Sequence, residues 1–196
     1  MNYILYIADC ETTGLDSHIH DIIEISLLRL SDGEQKTWWL KPLNPDHIDP
    51  AALRVNGHKL EDLLHKTKEG REKYLEPSKV IIDIENWIGN DGVPTEQRVL
   101  VGQNIGFDRE RFEQLWIKCQ AKDSMPFGRR TMDTMIWAFM MDYVQGKMAD
   151  SYSLSGLIKR YGIKNAAAHT AAADVLATKE LFEAQVAEIK AKLGIK

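Results

Sequence analysis

An apolar run that closes on two acids one residue apart constrains this chain more than any other feature. Tyr3 to Cys10 (YILYIADC) is nearly continuous in apolar residues, the pattern of a central strand covered on both faces. Asp9 and Glu11 stand at its end. Residues two apart along a strand project to the same face, so the two carboxylates lie side by side while Cys10 turns into the core. Carboxylates so placed repel, and burying them unpaired is costly. They require a basic side chain, shared protons or a metal. No Lys or Arg occurs between Met1 and His18. The compensating charge must come from a distant part of the fold or from solution.

Two further strands follow closely, Ile22 to Leu30 (IIEISLLRL) and Thr37 to Leu40 (TWWL), and their short connections predict a meander of hairpin-linked strands. Pro42, Pro45 and Pro50 mark the exit into a loop. Helical spacing then covers Pro50 to Val55, Leu60 to His65 and Ser78 to Ile88. A short strand at Val99 to Gly102 leads into a helix through Phe112, Leu115 and Ile117. Further helices are predicted over Thr134 to Val144, Leu154 to Tyr161 and Thr170 to Leu193. Strands first, then helices alternating with strands, is an α/β arrangement with a mixed sheet. With 44% hydrophobic residues and neither a repeat nor a linker, residues 1–196 read as a single domain. The segment MIWAFMMDYV in the Thr134 helix is apolar enough to read as core rather than as a dimer surface. GREKYLEPSKV (70–80) reads as a helical excursion or a partner surface, and AKDSMPF (121–127) as a loop.

Several function classes drop out. A formal net charge of −4 leaves no footprint for tight, sequence-independent binding of duplex nucleic acid, although an enzyme that must release its nucleic-acid substrate needs none. No apolar stretch approaches the ~18 residues of a membrane span, and no basic-then-apolar leader opens the chain, so no membrane role and a cytoplasmic location are expected. Cys10 and Cys119 form neither a metal spacing nor a disulfide framework, which fits a reducing compartment. Neither GxxxxGK[ST] nor GxGxxG occurs.

Two more clusters carry chemistry. In VLVGQNIGFD (99–108) Asn104 and Asp108 span the turn from strand to helix, which lets Asp108 approach the strand end that bears Asp9 and Glu11. In AAAHTAAADVLAT (166–178) Asp174 sits near the start of the last helix, His169 lies just ahead on small-residue backbone, and Thr170 is a plausible helix cap. Taken singly, Asp108 is better explained as an acid favoured by a helix N-terminus, and Asp174 has the same ordinary explanation. Taken in order, the three clusters read D-x-E, N-x-x-x-D and H-x-A-x-x-D.

Through DCETTG (9–14), NIGFD (104–108) and HTAAAD (169–174), the chain resembles the DEDDh branch of the DnaQ-like 3′→5′ exonucleases, the superfamily of the proofreading exonucleases. IIEI (22–25), the NP-to-NGH loop (44–58), MDT (132–134) and SLSGLIKRYGI (153–163) also fall where that family carries similar segments. There are departures: Gln103 stands where a histidine is common, and Ala172 where a leucine is common.

The resemblance implies a ribonuclease H-like fold, a five-stranded mixed sheet flanked by helices, with the first three strands antiparallel and a fifth near Arg129 to Met132. It implies two divalent ions, Mg²⁺ or Mn²⁺, held by Asp9, Glu11, Asp108 and Asp174, a hard-oxygen donor set suited to both. His169 becomes the general base for the attacking water. Thr12, Thr13, Gly14 and Leu15 are expected to bind the terminal nucleotide, Leu15 as a wedge beside its base or else as a partly buried core leucine, with Asn104 and Phe107 as substrate-side neighbours, Phe107 alternatively as core. Glu24 and Asp133 are expected to be structural, the first as a hydrogen-bond partner and the second as a helix cap. The implied activity is 3′→5′ hydrolysis of single-stranded DNA ends to nucleoside 5′-monophosphates. The alternatives are a 3′→5′ RNA exonuclease of the oligoribonuclease-like kind and a non-catalytic nucleic-acid-binding or polymerase-associated module, which would have lost at least one ligand. The implied partners are a single-stranded 3′ end, DNA before RNA, and a DNA polymerase or other replication protein. The chain's end at Lys196, just past the last helix, leads to the expectation of a stand-alone exonuclease, or a phage or plasmid version, rather than a stably bound subunit. Nothing in the sequence sets an oligomeric state.

Overall fold

The computed structural model describes residues 3–164 and 169–195. Its five strands are β1 (Ile4–Thr12), β2 (Ile22–Arg29), β3 (Gln35–Trp39), β4 (Arg98–Gly102) and β5 (Thr131–Asp133). They form one sheet of order β3-β2-β1-β4-β5. β1 pairs antiparallel with β2, and β2 with β3, as hairpin-length connections dictate. β1 pairs parallel with β4, and β4 with β5. The helices are α1 (Pro50–Asn56), α2 (Leu60–Leu63), α3 (Lys68–Lys73), α4 (Pro77–Gly89), α5 (Ile105–Lys118), α6 (Thr134–Gln145), α7 (Leu154–Arg160) and α8 (Ala171–Leu193).

Period-two alternation in β1 divides the interior. Tyr6, Ala8 and Cys10 face a core built with Ile84 and Trp87 of α4 and Phe112 and Leu115 of α5. Ile7 faces the other way, with Leu28 and Val101, against Val175 of α8. Asp9 and Glu11 continue the Ile7 series and so point to the side covered by α8. β2 is buried along its whole length, which explains its apolar run and makes Glu24 within it conspicuous.

The charged stretch at 70–80 is the predicted helical excursion. It ends α3, forms a parallel bridge between Leu75 and Leu40, and enters α4. Leu75 N–H donates to the Trp39 carbonyl at 2.9 Å, and Lys41 N–H to the Leu75 carbonyl at 3.0 Å, so this segment covers the outer edge of the sheet.

One expectation fails. The apolar helix α6 is not core: only Thr134, Ala138 and Asp142 are buried. Ile136, Trp137, Phe139, Met140, Tyr143 and Val144 stand 38–77% exposed. The helix is apolar nearly all round, so its sequence marks no single stripe as the inner one, and α8 already covers that face of β1 and β2. α6 packs outside α8 through a narrow strip, with Gln185 Nε2 donating to the Thr134 carbonyl at 2.8 Å.

Candidate active site

Of the three parallel strands, β4 and β5 end together at Gly102 and Asp133 while β1 runs on to Thr12, and open α/β sheets present ligand crevices outside such carboxyl ends. β1 runs further than its apolar pattern predicts and keeps Glu11 in the ladder, opposite Glu24 of β2. A register shift between Glu11 and Thr12 then bends the strand away. Two glutamates directly opposed are destabilising unless one is otherwise engaged. Glu24 is: it accepts from Trp39 Nε1 at 3.1 Å and from the Ala172 backbone N–H at 3.4 Å, and its Oε2 pairs with His58 Nε2 at 3.1 Å. Burial alone would raise the Glu24 carboxyl, but the His58 hydrogen bond and charge, with the Ala172 and Trp39 donors, hold it below its ordinary value. The structural role expected for Glu24 is what the geometry displays.

Those contacts also seat α8. Gln35 Nε2 donates to the Ala172 carbonyl at 2.9 Å, and Thr170 caps the helix by accepting from Ala173 N–H at 3.3 Å. Asp174 lies in the resulting first turn. Asp9, Glu11 and Asp174 each bring one carboxylate oxygen to within 4.8 Å of the others. Asp174 Oδ1 is buried and has no hydrogen-bond partner. Among the described residues none of the three acids forms an ion pair.

Asp108 arrives from the opposite face of the sheet. Asn104 turns the chain in the left-handed region (φ 56°), which asparagine tolerates better than most residues, and starts α5. Asp108, 4% exposed, then accepts the backbone N–H of Cys10 at 2.9 Å, which pins it to β1 between Asp9 and Glu11. It lies outside the group of three whose oxygens converge. Asp133 caps α6 as expected, accepting from Met135 N–H at 2.9 Å, and it also accepts Asn104 N–H at 3.1 Å, so β5 helps to hold the Asn104 turn.

The electrostatics follow from crowding. Burial, then the charges of Asp108, Asp174, Glu11 and Glu24, push Asp9 well above the usual carboxylate range. Burial and the neighbouring Asp174, Glu24 and Asp108 push Glu11 up to about 8. Burial raises Asp108 to about 7 against the pull of its Cys10 hydrogen bonds, and Asp174 is raised by burial and eased by His169. Such a group takes up protons or cations. An all-oxygen, negatively charged donor set with one buried oxygen lacking a partner suits a hard divalent ion such as Mg²⁺ or Mn²⁺.

The other expected site residues surround this cluster. His169 is exposed, adopts φ 49°, and stands immediately before the Thr170 cap of α8. The alanines Ala166 to Ala168 that precede it lie outside the described residues. Thr12 donates to the Gly14 carbonyl at 2.8 Å. Thr13 is fully buried, and its hydroxyl accepts Asp21 N–H at 2.9 Å, so both threonines shape the loop from which the next residues project. A Cβ on Gly14 would lie 2.5 Å from the His20 ring, so any side chain there would have to displace that ring. Leu15 is 80% exposed and its carbonyl accepts from Arg111 Nη2. Arg111 also lies 3.1 Å above the half-buried Phe107 ring. Gln103, where a histidine is common, links Thr134 Oγ1 at 2.6 Å to the Tyr152 carbonyl at 2.6 Å.

Two contributors escape sequence reading. Asn56 Nδ2 donates to the Thr12 carbonyl at 3.1 Å, and the same side chain opposes the rise of the Glu11 carboxyl. His58 holds Glu24 through one ring nitrogen and meets Tyr74 Oη at 2.6 Å through the other. The NGH segment that carries both was the available signal, with Gly57 (φ 73°) ending α1 between them.

A family model described as Exonuclease (RNase_T) matches residues 6–182. The PolC-type DNA polymerase III of Thermotoga petrophila is 25% identical over 194 residues, covering 99% of this chain and 12% of the polymerase. Its Staphylococcus aureus counterpart is 24% identical over 197 residues, again over 12% of its length. Among solved structures, exonuclease I of E. coli bound to single-stranded DNA superposes with a TM-score of 0.71 at 21% identity, covering 97% of this chain and 41% of that one. Exonuclease I of Methylocaldum szegediense gives 0.72 at 22%, over 97% and 42%. The chain therefore spans about an eighth of the polymerases and two fifths of the exonucleases it resembles. The structural likeness shows the fold, the five-stranded ribonuclease H-like arrangement expected from the sequence.

Proposed function

Because this chain belongs to the exonuclease family, we propose that it removes nucleotides singly from the 3′ end of single-stranded DNA and releases nucleoside 5′-monophosphates. The observation that carries this reading is the convergence of Asp9, Glu11 and Asp174 within 4.8 Å, with Asp174 Oδ1 buried and lacking a partner. The names of the relatives support the substrate: DNA polymerases on one side, an exonuclease bound to single-stranded DNA on the other. The proposed setting is DNA replication, with a polymerase as partner.

In this reading Asp9, Glu11, Asp108 and Asp174 hold Mg²⁺ or Mn²⁺. When bound, such ions supply Lewis acidity toward the scissile phosphate and the attacking water. The remaining work belongs to the chain itself. Leu15 and Phe107 offer apolar surface to the terminal base and sugar, and the Asn104 turn borders the same crevice. His169 takes a proton from the water as its oxygen bonds to phosphorus. The bond from phosphorus to the 3′-oxygen of the preceding nucleotide breaks, and that oxygen is protonated from solvent. His169→Ala is accordingly expected to lower the turnover rate by roughly 10²–10⁴-fold with Mn²⁺ affinity little changed. Single-turnover kinetics beside calorimetric titration of Mn²⁺ would show it, and a fully active variant at saturating metal would remove His169 from the proton transfer.

The test of the function uses 5′-labelled single-stranded DNA and RNA of matched sequence, each with Mg²⁺, Mn²⁺ or chelator. Progressive metal-dependent shortening of DNA, well ahead of RNA, is expected. RNA shortened first would move the assignment to an RNA exonuclease. A single labelled mononucleotide at the earliest times would reverse the polarity. No metal-dependent shortening of either would overturn the proposal.

A further inference from the structure

The outward face of α6 is inverted relative to an ordinary surface helix. Its one charged residue, Asp142, is buried and bonded to Arg160 at 2.5 and 2.7 Å, so the only charge on the helix points inward. Opposite that strip lie Ile136, Met140, Tyr143 and Val144, flanked by Trp137 and Phe139, all 38–77% exposed. Half of a large side chain is on the order of 100 Å², so these six present roughly 600 Å² of contiguous, uncharged surface, at the upper limit of the ~300–600 Å² found on typical monomers.

We infer that this face is an interface between two copies of the chain. Three classes of occupant are disfavoured by the residues themselves. A nucleic-acid strand needs cations along the groove beside its stacking aromatics, and α6 has none. Helices that lie on membranes carry Lys and Arg along their polar face, and α6 carries neither. A partner recognised through charge has nothing to pair with here. A second copy meets no such objection, since a two-fold axis sets the patch against itself and no like charges are brought together. The area agrees: two faces of roughly 600 Å² bury about 1,200 Å², the lower end of the range for stable association. Asp133, which caps α6, also holds the Asn104 turn at 3.1 Å. The interface therefore begins near the Asn104 turn, and α6 runs away from it.

Sedimentation of the full chain between about 1 and 100 µM tests this directly. The wild type is expected at twice 22.3 kDa at the upper concentrations. Met140→Glu and Tyr143→Lys, both at exposed positions, are each expected to halve the mass while leaving circular dichroism and metal-dependent shortening of DNA unchanged. A wild-type mass of 22.3 kDa throughout would overturn the inference. So would a dimer that survives both substitutions, which would place the interface elsewhere. The proposal does not depend on the exonuclease reading, because mass is read without substrate.

Discussion

Asp9→Asn is expected to abolish metal-dependent shortening of single-stranded DNA while raising the melting temperature of the metal-free protein. The two effects have one cause. Asp9 is the most crowded carboxylate of the site, raised first by burial and then by Asp108, Asp174, Glu11 and Glu24. Asparagine keeps its shape, removes the charge and offers an N–H to the remaining acids, so the repulsion among these carboxylates in metal-free protein is eased by about 1–2 kcal/mol. For a domain of this size that corresponds to a rise of roughly 3–6 °C. The same change removes a ligand for a divalent ion, and a rate loss of at least ~10³-fold is expected from the lost electrostatic stabilisation. Single-turnover assays at saturating Mn²⁺ and calorimetric melting in chelator read the two quantities separately. Activity lost together with a lowered melting temperature would mean that the variant is merely misfolded and that the cluster is not a strained, charge-seeking site. Retained activity would take Asp9 out of the chemistry altogether.

Much of this site is legible in the sequence because it depends on local rules. The pairing of Asp9 with Glu11 follows from the two-residue period of a strand, and the Asp133 and Thr170 caps follow from residue type and position at helix starts. The approach of Asp108 to β1 is not local, since the two lie 98 residues apart; it follows from the parallel pairing of β4 with β1, after which α5 begins. What local rules do not set is distance. Asp108 is bonded to the β1 backbone while its carboxylate stays outside the group formed by Asp9, Glu11 and Asp174. Asn56 and His58 were missed because they reach the site across 44 and 34 residues of sequence, to Thr12 and Glu24, through a turn whose direction is set by tertiary packing. The inverted face of α6 was misread for a related reason. Hydrophobicity reports that a helix is to be covered, and here the covering surface is not the sheet.

The metal-free protein is expected to lose stability as pH rises from about 5 to about 8, and divalent metal to restore it. The sign follows from the direction of the shifts. Glu11 is raised from 4.5 to about 8 and Asp108 from 3.8 to about 7. Below their unfolded values these groups are protonated in both states and cost nothing. Above them the unfolded chain ionises first, so each further rise in pH favours unfolding until the folded groups ionise near 7 to 8. Carboxylates held low by partners, such as Asp91 with Arg98 and Asp142 with Arg160, act in the opposite direction and only in more acid solution, where stability falls as they are protonated. The interval from about 5 to 8 therefore belongs to the acidic site. After allowance for coupling among its members the loss should be on the order of 3 kcal/mol, or roughly 6–12 °C in melting temperature. A divalent ion requires the ionised forms, so its binding releases protons and tightens with pH, and at about a hundredfold excess over its dissociation constant it returns ~2.7 kcal/mol. Scanning calorimetry at pH 5.5 and pH 8, with chelator or Mn²⁺, should show the metal-induced rise mainly at the higher pH. Equal melting temperatures for the metal-free protein at both, or an equal Mn²⁺ effect at both, would show that the acids are neutralised by something other than protons and metal.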